Sequence, residues 1–91
     1  MNKTEFIKEV SKRTNYTQSA IGEVFAAARE LLIEELVKGE EVSFIKGVTF
    51  FGKQREEKVR YNPLLKKDIT ISAAILPKAR FTESFKDAMN N

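Results

Sequence analysis

The sequence predicts an α+β domain: a two-helix hairpin body, a three-stranded antiparallel sheet with a long β-ribbon arm, and a short C-terminal helix. Three observations predict it. Up to Val37, apolar residues recur at spacings of three and four, the period of an amphipathic helix. Beyond Gly39 the pattern changes to short apolar or alternating runs. Between two of these runs lies residues 53–67, KQREEKVRYNPLLKK, a polar stretch that neither a helix nor a core can absorb.

The first helix begins after Asn2, a good N-cap, with Glu5 three positions on as in a capping box. Phe6, Ile7 and Val10 share one face, and the pattern stops near Arg13. Thr14-Asn15-Tyr16 is a short connection, and Thr17 can cap a second helix from about Gln18 to Val37. Its stripe of Ile21, Val24, Phe25, Ala28, Leu31, Leu32 and Leu36 is too wide for the first helix to cover alone. Gly39 fits the position after the helix, where left-handed backbone costs least.

Val42-Ser43-Phe44-Ile45 and Val48-Thr49-Phe50-Phe51 read as a hairpin turning at Lys46-Gly47. Residues 53–67 then turn at Tyr61-Asn62-Pro63-Leu64, and the strands at their two ends should meet in an antiparallel ribbon. On the way back, Ile69, Ile71, Ala73 and Ile75 alternate with Asp68, Thr70, Ser72 and Ala74, as in a half-buried strand. At Pro77 that strand must leave the sheet or become an edge, because proline donates nothing to a ladder. Thr82 precedes a last helix from Glu83 to about Met89, with Phe85, Ala88 and Met89 expected inward. The expected organisation is a single domain over residues 1–91: a helical body at 1–41, a sheet at 42–81 with its arm at about 53–67, and the closing helix at 82–91.

Charge divides the chain more informatively than its net +3 suggests. Residues 1–41 carry six basic and eight acidic groups, net −2, and residues 42–91 carry ten and five, net +5. A basic half built on an extended ribbon suits phosphate, whose contacts release counterions. An isolated ribbon is marginal in water, so one loaded with cations is expected to order against a polyanion. The plain alternative is a solvated hairpin whose charges only confer solubility.

The sequence holds no cysteine and no histidine, which removes disulfides, thiolate and imidazole ligands and the commonest nucleophile and base pairings. Glu30, Glu34 and Glu35 read as a solvated helix face. No enzyme activity, metal or cofactor is expected. No apolar run is long enough to span a bilayer, and the opening MNKTEFIKEV lacks a signal-peptide core, so the expected location is cytoplasmic with no membrane partner. With about fifteen residues committed to the ribbon, the remaining core is small, and oligomerisation is the expected remedy.

Taken together, MNKTEFIKEV, Gly39, Val48-Thr49-Phe50, Asn62-Pro63, Ile69–Ala74 and Phe85-Lys86-Asp87-Ala88 resemble, in order and without a gap, the HU / integration host factor family of bacterial histone-like DNA-bending proteins. The resemblance implies an intertwined homodimer, or a heterodimer with a related subunit, whose β-arms wrap the minor groove of double-stranded DNA. It implies a nucleoid-associated protein that bends and compacts DNA with low sequence specificity, Pro63 intercalating at the arm tip beside Asn62. By position, Lys3, Arg55, Lys58, Lys67 and Lys86 fall on family phosphate-binding sites. Lys53, Arg60, Tyr61, Lys66, Lys78 and Arg80 are nominated by their place on the arm and its approach strands. Phe25, Leu32, Phe44, Phe50 and Ile71 are assigned to the dimer core.

Two departures stand out. The family's usual Gly-Phe-Gly-Thr-Phe is here Lys46-Gly47-Val48-Thr49-Phe50, and its Arg-Asn-Pro-x-Thr-Gly tip is Tyr61-Asn62-Pro63-Leu64-Leu65-Lys66. The tip change leaves a second reading, an HU-fold interaction module or decoy with impaired DNA bending. It also raises the expectation that one of Leu64 and Leu65 extends the wedge.

Overall fold

The computed structural model describes all residues, Met1–Asn91. Its elements are helix α1 (Lys3–Thr14), helix α2 (Gln18–Val37), strands β1 (Val42–Ile45), β2 (Val48–Arg55), β3 (Lys58–Asn62), β4 (Lys67–Ile71) and β5 (Ala74–Phe81), and helix α3 (Glu83–Asn90). The chain divides into two compact units, Met1–Glu34 and Glu35–Asn91.

In the first unit the helix ends lie where the capping chemistry puts them. Asn2 Oδ1 accepts from the Glu5 N–H at 2.8 Å, and Thr17 Oγ1 accepts from the Ala20 N–H at 3.1 Å. Helix α1 closes on Asn15, which takes left-handed backbone (φ 62°) and donates its N–H to the Ser11 carbonyl. Asparagine is among the few residues that visit this region readily. The apolar faces meet through Phe6 and Phe25, whose ring centroids are 6.1 Å apart. Removing either N-cap side chain, in Asn2→Ala or Thr17→Ala, should cost about 1 kcal/mol, read as a lower urea midpoint with an unchanged slope.

The second unit opens with the last turn of α2. Gly39, at φ 88°, donates to the Leu36 carbonyl, and Glu40 donates to Glu35, which together make a Schellman closure. Strands β1, β2 and β5 form a three-stranded antiparallel sheet in that order, and β3 and β4 form a separate two-stranded ribbon. The β1–β2 register shifts by one residue between Val42↔Phe50 and Ile45↔Val48, and Phe44 stacks on Phe50 at 5.5 Å. Pro77 sits within β5 opposite Gly52, and β5 is an edge strand, so the missing N–H faces no further neighbour.

The return strand differs from its expected form. It is broken at Ser72-Ala73, and the half-covered positions run Ile69, Ile71, then Ala74 and Leu76, one step out of phase with the alternation read from the sequence. Ile75 is 38% exposed. Runs of small residues such as Ser72-Ala73-Ala74 carry no hydrophobic signal strong enough to fix the phase. The arm tip also lies later than expected, with the turn at Pro63–Lys66.

Helix α3 starts at Thr82 through backbone alone: its side chain makes no capping bond, while its carbonyl accepts from the Phe85 and Lys86 N–H groups. Phe85 packs on Phe81 at 5.0 Å between centroids, but Met89, expected inward, is 75% exposed. Only Ile21 and Val48 are buried, at 5% and 4% exposure, and no side chain is fully enclosed within the chain.

Candidate nucleic-acid interface

Pairing in an antiparallel sheet puts opposed residues on the same face, so the register assigns each cation to a side. Opposite Thr49, Phe51, Lys53 and Arg55 of β2 stand Arg80, Lys78, Leu76 and Ala74 of β5. Lys53, Arg55, Lys78 and Arg80 therefore share one face. The other face carries Val48, Phe50, Gly52 and Gln54 opposite Phe81, Ala79, Pro77 and Ile75. Val48 and Phe50, which stacks on Phe44, carry the apolar packing of this second face, whereas the first sets its four cations among half-buried Phe51, Leu76 and Ala74.

The four cations are not equivalent. Arg80 is held by Glu41, Nη2 to Oε2 at 3.4 Å, and lies over the Phe51 ring at 5.1 Å from its centroid. Arg55 donates from Nε and Nη2 to the Ser72 carbonyl at 3.3 and 3.0 Å, satisfying an acceptor where the ladder is interrupted. Neither Lys53 nor Lys78 has a side-chain hydrogen bond or ion pair, and both are exposed.

An open depression of about 480 Å³ lies among Lys53, Gln54, Arg55, Glu56, Lys58, Leu76 and Lys78. The break at Glu56-Glu57 and Ser72-Ala73 brings Lys58, from the start of the arm, to the same depression as the sheet cations. Along the arm, Lys58, Arg60 and Asn62 stand opposite Ile71, Ile69 and Lys67. Val59 and Tyr61 stand opposite Thr70 and Asp68 on the reverse face. Arg60 and Tyr61 thus point to opposite sides, and the arm's aligned cations are Lys58, Arg60 and Lys67.

At the tip, Asn62 Oδ1 accepts from the N–H groups of Leu64 and Leu65 at 2.9 and 3.3 Å, and Lys66 takes left-handed backbone (φ 53°). Asn62 shapes the turn that presents Pro63, which is exposed. Of the remaining nominated residues, Lys3 is exposed on α1 and Lys86 exposed on α3. Phe25 and Leu32 are half-buried on α2, Phe44 is 55% exposed and Phe50 half-buried in the sheet, and Ile71 lies on the arm opposite Lys58. The Ser72 carbonyl and Leu76 were not marked by the sequence. A backbone acceptor has no residue signature, and Leu76 lies outside the alternation of Ile69, Ile71, Ala73 and Ile75.

No three acidic side chains gather as a metal site, and no helix is long and apolar enough to cross a membrane.

Residues 1–90 match the family model described as bacterial DNA-binding protein. Over 90 residues the chain is 32% identical to DNA-binding protein HU-beta of Salmonella typhimurium, covering 99% of this chain and 100% of that one. Over 89 residues it is 32% identical to DNA-binding protein HU-1 of Halalkalibacterium halodurans, covering 98% and 99%. Among solved structures, the fold is similar to that of HU in an Anabaena HU–DNA cocrystal, with TM-score 0.80 and 25% identity over 98% of this chain and 97% of that one. It is also similar to a mutant of transcription factor 1 in solution, with TM-score 0.65 and 26% identity over 99% and 91%. With this fold and these matches along its whole length, the chain belongs to the HU family of bacterial DNA-binding proteins.

Proposed function

We propose that this protein is an architectural, nucleoid-associated DNA-binding dimer that grips the minor groove of duplex DNA, bends it by wedging Pro63 at the arm tips, and compacts it. The observation that carries this reading is the register of β2 with β5, which collects Lys53, Arg55, Lys78 and Arg80 on one face beside an arm bearing Lys58, Arg60 and Lys67. The Anabaena HU neighbour, crystallised with DNA, supports it.

A proline ring is a suitable wedge because it offers apolar surface, loses little side-chain entropy and requires no hydrogen bond. Unstacking a base step costs on the order of a few kcal/mol, which extra contact between bent duplex and cationic protein offsets. Specificity is low, because minor-groove edges separate little beyond A·T from G·C and phosphate contacts carry no base information. Preference follows deformability, so nicked, gapped or kinked duplexes bind more tightly than linear ones.

Self-association is supported by the amount of apolar surface that a single chain leaves uncovered. Val24, Leu31 and Val37 on α2 are 64%, 57% and 63% exposed, and Phe44 and Phe81 are 55% and 62% exposed. Two buried side chains, neither of them fully enclosed, give too little burial to balance the entropy of ordering a domain of this size. A homodimer, or a heterodimer with a related subunit, buries these faces. Sedimentation of the purified chain tests this, and a stable monomer at micromolar concentration contradicts it.

The bending test uses end-labelled duplexes with energy transfer as the readout. Pro63→Ala is expected to reduce the bend of the saturated complex while lowering affinity by less than about threefold, since it removes the wedge and no phosphate contact. An unbent duplex with the parent protein, together with no preference for nicked over linear DNA, would favour the interaction module with impaired bending.

A further inference from the structure

We propose that the arm tip is a two-residue wedge, in which Leu64 enters the opened base step beside the Pro63 ring. The inference rests on the DNA-bending reading above and deepens it. Leu64 is 93% exposed, against 57% for Leu65. Its exposure is imposed by the local backbone. Asn62 Oδ1 accepts from the Leu64 N–H at 2.9 Å, and Lys66 turns the chain back through left-handed backbone at φ 53°. The turn therefore holds the side chain away from the ribbon, which lowers the cost of ordering it when DNA arrives.

Turn apices ordinarily carry Gly, Asn, Asp or Ser. A leucine there gains nothing from water or from its own chain, and its surroundings indicate what it meets. Arg60, Lys66 and Lys67 flank the tip, with Asp68 as the nearest acid in sequence. A polyanion held by these three cations brings Leu64 against whatever lies between its charges. In a duplex opened at one step, that is the apolar face of an unstacked base. Apolar side chains, leucine among them, can separate base steps. An anionic lipid surface offers the same charge but fits less well, because the arm's cations follow a ribbon and only one large side chain is so fully presented.

The test uses the full-length protein on a duplex carrying a fluorescent base analogue at a flexible step and an energy-transfer pair at its ends. Leu64→Ser is expected to lose about half of the base-analogue signal and to reduce the bend, while affinity at fixed salt changes by less than about threefold. Leu65→Ser is expected to keep both signals at the parental level. Thermal melts of the variants should match the parent, because both side chains are exposed. If Leu64→Ser keeps parental unstacking and bend while Pro63→Ala reduces them, the inference is overturned and the bending reading stands. If the parent neither unstacks nor bends the duplex, both fall. Loss of binding to phosphatidylserine vesicles by Leu64→Ser, with DNA bending unaltered, also overturns it in favour of a membrane contact.

Discussion

Replacing Lys53 and Lys78 together by alanine is expected to weaken binding to linear duplex about 60-fold at 0.1 M salt and to flatten the salt dependence by about 1.8 log units per decade. The magnitude follows from counterion release. Each phosphate neutralised contributes about 0.9 to the slope, so relative to 1 M salt it contributes about 0.9 log units of affinity at 0.1 M, and two contribute about 1.8. These lysines are chosen because they share the cationic face and neither is engaged by another side chain. Arg80→Ala should have a smaller effect on the slope, since its guanidinium is already committed to Glu41 and the Phe51 ring. Fold stability should stay within about 0.5 kcal/mol for the double variant, as expected for exposed positions without partners. Binding isotherms at several salt concentrations provide the check. An unchanged slope would place the phosphates elsewhere and remove the sheet face from the interface.

Gly47→Ala is expected to destabilise the fold by about 2–4 kcal/mol. Two costs combine at this turn. Gly47 has φ 88°, a region that costs an L side chain about 1–2 kcal/mol. An added Cβ would also lie 2.8 Å from Phe85 Cβ and 3.3 Å from the Phe85 backbone nitrogen. Neither atom is the far end of a flexible chain, so α3 itself must shift. The Gly47 carbonyl, which accepts from the Thr82 N–H at 2.9 Å, anchors the start of that helix. Gly39 supplies the control: its φ is also 88°, yet nothing lies within 4 Å of its added Cβ. Gly39→Ala should therefore cost only the backbone part, about 1–2 kcal/mol. Urea midpoints at one protein concentration separate the two, and equal losses would mean that Phe85 yields freely.

Element boundaries were largely legible in the sequence because short-range chemistry sets them. Asn2 and Thr17 supply acceptors to N–H groups three residues on, and Gly39 takes the left-handed position after α2. The cationic ribbon was legible as an element from its charge density but not in its bounds: residues 53–55 belong to β2, the ribbon is β3 with β4, and its turn lies at Pro63–Lys66. The candidate site was legible as a set of residues but not as an arrangement. Alternation along a strand already puts Arg60 and Tyr61 on opposite sides. Which of them lies on the side of Arg55 depends on the breaks at Glu56-Glu57 and Ser72-Ala73, which the weak apolar contrast of those positions does not announce.

By itself, the sequence determined that two capped helices precede a sheet, that a basic ribbon rises from it, and that a proline stands near its turn. Only the tertiary structure decided that Lys53 and Lys78 stay free while Arg55 holds the Ser72 carbonyl and Arg80 holds Glu41. The reason is physical: caps and turns are satisfied within a few residues, whereas the side on which a strand residue emerges, and the partner it finds there, is set by register across the ladder.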